Sequence, residues 1–85
     1  MNDDIKTKVD LYKRIRPAMY VKIKDIKRDY DIKISYEELF MYLEEDVWKS
    51  KSNLSLSEIV EDVLYVDVDN LFQHIEKRRD NEKNN

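Results

Sequence analysis

The sequence holds no cysteine, no glycine and a single proline. Without cysteine there is no disulfide framework and no thiolate to act as nucleophile or metal ligand. Chains built from tight hairpins need residues that accept positive φ, and glycine is the usual choice. Its absence counts against a many-stranded fold. The opening MNDDIKTKVD has no apolar core of the signal-peptide kind. No apolar run approaches the roughly 20 residues that cross a bilayer. These absences lead us to expect a cytoplasmic protein with no membrane insertion.

What is present points to helices. Eighty-five residues make one domain at most, and a chain this short buries only about 60–65% of the surface its unfolded form exposes. Charged residues and apolar residues each make up 41%, a balance too apolar for disorder and suited to amphipathic helices. The net charge of −3 conceals a segregation. Residues 1–34 carry 10 basic and 6 acidic groups (+4), residues 35–76 carry 2 and 11 (−9), and residues 77–85 carry 4 and 2 (+2). The basic and acidic parts either attract each other across the fold or face different partners.

Along residues 3–29, Leu11, Ile15, Met19, Ile23, Ile26 and Tyr30 recur at helical steps. Pro17 interrupts this stripe, so the segment is expected to be one kinked helix or two. After the connection DYDIKI, Ser35 and Glu38 form a capping box. Tyr36, Phe40, Leu43 and Val47 continue a helix to about Trp48. The polar KSKSNLS loop leads to a second capping box, Ser55 with Glu58, and to the stripe Leu56, Ile59, Val60, Val63 and Leu64. Asp67 is placed to cap a last helix that turns Val68, Leu71, Phe72 and Ile75 inward, with Lys77, Arg78 and Arg79 near its C-terminal end. The predicted architecture is an all-α bundle of four to five helices over residues 1–79, with a helical hairpin in the C-terminal half. Residues 80–85 read as a disordered polar tail.

No catalytic, metal or cofactor site is expected. The segment DVDN at Asp67–Asn70 fails as a calcium loop, because the places that need glycine and glutamate hold Phe72 and Arg78. His74, the only histidine, has no ligand set around it and is expected to be exposed. No nucleophile has an evident activating partner. Trp48 reads as a core residue closing the second helix, with Glu44, Glu45 and Asp46 turned to water. The last two helices have the rhythm of a DNA-binding helix-turn-helix, which would present Asp69, Asn70, Gln73, His74 and Lys77 to a major groove. The missing turn glycine and the acidic surroundings favour a plain hairpin.

Two surfaces remain. Lys13, Arg16, Tyr20, Lys24 and Lys27 share one helical face, with Arg14 and Arg28 at its edges. Basic groups with an interleaved aromatic meet phosphates and unpaired bases. The alternative is a solvated face paired with the acidic middle of the chain. Tyr36, Met41, Tyr42, Glu44, Glu45 and Asp46 form the second candidate, a surface for a partner helix.

The run ELFMYLEEDVWKS…SLSEIVEDVLYVDVDNLFQHIE, with VDLYK at Val9–Lys13, resembles the ComN-like post-transcriptional regulators of Bacillus-type bacteria over about residues 9–76. The order and spacing of its elements carry the likeness. The resemblance implies a non-enzymatic regulator of messenger RNA, connected with competence and acting directly or through a regulatory protein partner, with no small-molecule substrate. A homodimer through spare apolar residues of the first segment stays open, as do a protein-interaction adaptor without RNA contact and the DNA-binding module.

Overall fold

A computed structural model of the chain describes residues 7–83, and among them all regular structure is helical. The first helix, α1, covers Lys8–Tyr30, with the Thr7 hydroxyl accepting the N–H of Asp10 at 3.1 Å. Pro17 lies inside α1 and does not divide it. Pro17 has no N–H to offer the Lys13 carbonyl, but both residues are exposed, so the interrupted ladder lies on the solvated side. Asp31 ends the helix at φ 55°, its N–H bonded to the Lys27 carbonyl at 2.9 Å. Asn53 takes the other left-handed position among the described residues, at φ 57°. Aspartate and asparagine tolerate that region best after glycine, which lets a glycine-free chain make these turns.

Helix α2, Tyr36–Tyr42, starts on the expected capping box: Ser35 Oγ accepts the Glu38 N–H at 3.0 Å, and Glu38 Oε1 accepts the Ser35 N–H at 2.9 Å. Helix α3, Leu56–Leu64, repeats the device with Ser55 and Glu58. Helix α4, Val68–Lys83, is capped by Asp67, whose Oδ1 accepts the Asn70 N–H at 3.1 Å. It runs past Asp80, where composition alone places the start of a tail. Asn84 and Asn85 of that tail, like residues 1–6, lie outside the described residues.

The stripe after Ser35 reads as one α-helix to Trp48. Instead α2 passes into a π-helical turn, Leu43–Val47, closed by the Trp48 N–H on the Leu43 carbonyl at 2.8 Å. Each such i→i−5 bond spans one more residue than the i→i−4 bond of an α-helix. Trp48 is half-buried beyond it, edge-on to Phe40 with ring centroids 6.2 Å apart. Its indole Nε1 donates to Asp62 Oδ2 of α3 at 2.9 Å, and Lys51 Nζ reaches the same oxygen at 3.2 Å. The ring serves the core while its one polar atom is satisfied.

Helix α1 packs against α3 and α2, and α4 packs against α2. Helices α3 and α4 follow one another through the link Tyr65–Asp67, yet each has its main packing partner elsewhere. The core joins Ile15, Met19 and Ile26 of α1, Leu39 and Phe40 of α2, Leu43 of the π turn, Ile59 and Val63 of α3, and Leu71 and Ile75 of α4. Ile34 and Val66, from the connections, seal it.

Polar contacts tie the helices at their ends. Lys22 Nζ donates to the Leu64 carbonyl at 3.1 Å, satisfying an orphan acceptor at the C-terminus of α3. Arg79 Nη2 of α4 donates to Glu38 Oε2 at 2.8 Å, while the other oxygen of Glu38 holds the α2 cap. Lys8 Nζ lies 3.2 Å from Glu44 Oε2.

Candidate functional site

The outer face of α1 carries the chain's clearest unspent charge. Its core-facing stripe leaves Lys13, Arg16, Tyr20, Lys24 and Lys27 on the opposite side, and all five are exposed. The other described cations of α1 are engaged elsewhere. Lys8 meets Glu44, Lys22 meets the Leu64 carbonyl, and Arg14 lies 3.5 Å from Asp10. Arg28 pairs with Asp25 at 3.1 Å and Asp29 at 2.9 Å. Its hydrogen bond holds the Asp29 carboxyl below the usual range. Asp25 and Asp29 are thus taken up at the edge and do not neutralise the stripe.

Within the stripe the structure separates one member. Lys27 Nζ lies 2.6 Å from Asp31 Oδ1, and its hydrogen bond keeps the Asp31 carboxyl below its ordinary value. Lys13, Arg16 and Lys24 have no carboxylate partner among the described residues. Arg16 and Lys24 lie on aromatic rings instead. The Arg16 guanidinium carbon is 4.7 Å from the Tyr36 ring centroid, and Lys24 Nζ is 5.3 Å from that of Tyr20. Exposed contacts of this kind contribute about 0.5–1 kcal/mol each, enough to order the side chains without consuming their charge. Tyr20 is 50% exposed.

The second surface comes apart. Tyr42 is a core residue, 4% exposed, with its ring edge-on to His74. Burial, then the nearby carboxylates Asp46 and Asp67, push its hydroxyl pKa up. Glu44 is bound to Lys8. Glu45 accepts from His74 Nε2 at 2.7 Å and lies 3.6 Å from Arg78, and the His74 bond holds its carboxyl low. Glu45 is exposed as the pattern predicts, and both side chains also pair across to neighbouring helices, Glu44 with α1 and Glu45 with α4. Met41 is half-buried, Asp46 stays exposed, and Tyr36 belongs with Arg16. Among the aromatic residues of α2, Phe40 sits in the core as its stripe predicts, while Tyr42, expected at the surface, is covered by the arrival of α4.

His74 is likewise not exposed: its side chain is 12% accessible and faces Glu45. A groove-reading face on α4 loses its histidine, and Asn70 is spent on Asp67, its Nδ2 donating to Oδ2 at 3.2 Å. Gln73, Lys77 and Asp69 remain exposed. Among the described residues no three His, Cys, Asp or Glu side chains gather as a metal site, and no helix is long and apolar enough to cross a membrane.

Sequence reasoning does not single out Asp62, which receives the Trp48 indole N–H. It places Tyr36 and Glu45 on a partner-binding surface without showing that Tyr36 seats Arg16 and Glu45 accepts from His74. Only long-range pairing identifies them, and no local signal would have done so.

Comparison with known proteins bears on most of the chain. A family described as post-transcriptional regulator matches residues 9–85. The post-transcriptional regulator ComN of Bacillus subtilis (strain 168) is 39% identical over 61 residues, covering 69% of this chain. The aligned stretch spans 61% of that relative's length. No solved structure matches.

Proposed function

The chain belongs to the post-transcriptional regulator family, and on that ground we propose that it acts on messenger RNA in the cytoplasm by direct contact through the outer face of α1, without catalysis. One observation carries this reading. Among the described residues, Lys13, Arg16 and Lys24 of α1 meet neither a carboxylate nor a backbone carbonyl and fall in a single row around Tyr20, while the other described cations of α1 are engaged, Lys22 by the Leu64 carbonyl. Surface cations commonly find partners in a chain that is 41% charged. A row left open on one face suits an external polyanion.

The mechanism follows from the geometry. Lys13 and Lys24 are eleven positions apart, about 17 Å along the helix axis, so the row spans several phosphates. Each contact releases a counterion, and three contacts on a single strand give a slope of about −2 in log K against log salt. The strongly acidic middle of the chain repels the rest of the nucleic acid and confines it to α1.

Anisotropy titration of a fluorescein-labelled, unstructured 20-nucleotide RNA tests this. Binding should appear at low salt with that slope and fall at least tenfold when Lys13, Arg16 and Lys24 all become glutamine. Lys49→Gln, off this face, should leave it unchanged. Absence of RNA binding at low salt, or an unaffected triple variant, would sink the proposal.

A further inference from the structure

The two cation–aromatic pairs of the site form a platform that crosses from one helix to another. Tyr36 is the first residue of α2, and it receives the guanidinium of Arg16 from α1 at 4.7 Å. One helical turn further along α1, Tyr20 lies half-exposed under Lys24 at 5.3 Å. Arg16 and Tyr20 are four positions apart, so the two pairs are neighbours, separated by about 6 Å of helix rise. The alternation is cation, ring, cation, with the Arg16 guanidinium carbon itself over a second ring.

We propose that this platform selects single-stranded RNA, seating one unpaired base on Tyr20 and another on the outer side of the Arg16–Tyr36 pair, with the flanking phosphates on Lys13 and Lys24. This inference rests on the RNA reading above and narrows it to a strand state. A base in a duplex hides both faces in its own stack. A base in a single strand offers a face to any aromatic ring or guanidinium plane.

Three features of the site suit the strand and not the duplex. Arg16 is exposed with its guanidinium carbon 4.7 Å from the Tyr36 centroid, so a base can approach the pair from the solvent side. Lys24 rests on Tyr20 by a weak exposed contact, and a phosphate gives its ammonium a better partner as a base takes its place on the ring. The row is also short. Arg16 to Lys24 covers about 12 Å, or roughly three to four nucleotides at about 3.4 Å each. A rigid duplex projects beyond so short a row and brings its phosphates towards residues 35–76, with their balance of 2 basic and 11 acidic groups. A flexible strand turns away.

The test uses the full chain and three labelled probes: an unstructured RNA decamer, the blunt ten-base-pair RNA duplex of that sequence, and an abasic ribose-phosphate decamer. The decamer should bind about 25- to 100-fold tighter than either competitor, since each of the two seated bases gives roughly a five- to tenfold gain. Tyr20→Leu should remove about one base's share, roughly five- to tenfold, for the decamer and leave duplex and abasic binding unchanged. Tyr20→Phe, which keeps the ring, should bind like the parent. Tyr20 is half-exposed, so these variants should fold, and far-UV circular dichroism checks it. Equal binding of all three probes, or a Tyr20→Leu variant that binds the decamer as well as the parent does, overturns the stacking site while leaving phosphate contact standing. Binding of none of the probes removes the RNA reading itself.

Discussion

Replacing Glu38 by glutamine separates the two jobs of one carboxylate. Oε1 accepts the Ser35 N–H at 2.9 Å and starts α2, while Oε2 accepts from Arg79 of α4 at 2.8 and 3.2 Å. Glutamine can keep the first bond through its amide oxygen, but it lacks the charge that holds Arg79. The Glu38 side chain is 26% exposed and that of Arg79 56%, so solvent screens the pair. A loss of about 0.5–1 kcal/mol is expected, or about 2–8 °C in Tm for a domain of this size. Glu38→Ala removes the cap as well and should cost about 0.5–1 kcal/mol more. Glu58 has the same cap and no arginine, so Glu58→Gln should shift Tm less. The pH dependence has a defined sign. Partial burial works against the charged form of Glu38, but the Ser35 N–H and then Arg79 outweigh it and lower the pKa. The unfolded chain, with an ordinary value of about 4.3, therefore takes up the proton first. The stabilisation is present above that range and is lost as pH falls through the folded value. The gap between parent and Glu38→Gln should be full at pH 7 and close on acidification below about pH 4. Thermal melts followed by far-UV circular dichroism measure it, and a double-mutant cycle with Arg79→Gln isolates the pair. Strict additivity in that cycle, or a gap that widens in acid, would refute the reasoning.

Other substitutions probe other parts of the fold. Trp48→Phe keeps a ring beside Phe40 and loses the donor to Asp62, so urea unfolding should show a loss of about 1.5 kcal/mol, the low end for a hydrogen bond to a charged group. Unchanged stability would mean that the indole bond contributes nothing. Pro17→Ala lets the α1 ladder close on the solvated side. Relieving about 3 kcal/mol of helix cost, less about 1 kcal/mol for a looser unfolded chain, should raise Tm by about 8 °C or more, and a fall in Tm would show that proline suits this helix. Leu71→Ala empties a fully buried site where α4 meets the core. It should cost about 2–5 kcal/mol and strip hydrogen-exchange protection from α4. Retained protection there would show that the end contacts alone hold the helix.

Much of this was legible in the sequence, and the reason is range. Both capping boxes, the Asp67 cap and the helical class depend on residues within four positions of one another, and the structure has each of them as the pattern predicts. The row Lys13, Arg16, Tyr20, Lys24 was readable too, since one helix fixes which of its side chains share a face. Lys27 was not separable from it until Asp31 turned back in a left-handed cap. Tyr42 and His74 were read as surface residues, and both are covered because α4 lies on α2.

The sequence by itself determined where helices start, which stripe of each is apolar, and that its cations gather at the two ends around an acidic middle. The tertiary structure decided which charges are spent. Glu38, Glu45 and Asp62 found partners 41, 29 and 14 positions away, while Lys13, Arg16 and Lys24 found no carboxylate among the described residues. A charge's fate depends on what packing brings within a few ångströms of it, because the favourable pairing of exposed ions fades within a Debye length. Periodicity places a side chain on a face of its helix, but it takes the neighbouring helix to determine whether that face meets water, a counter-charge or a partner.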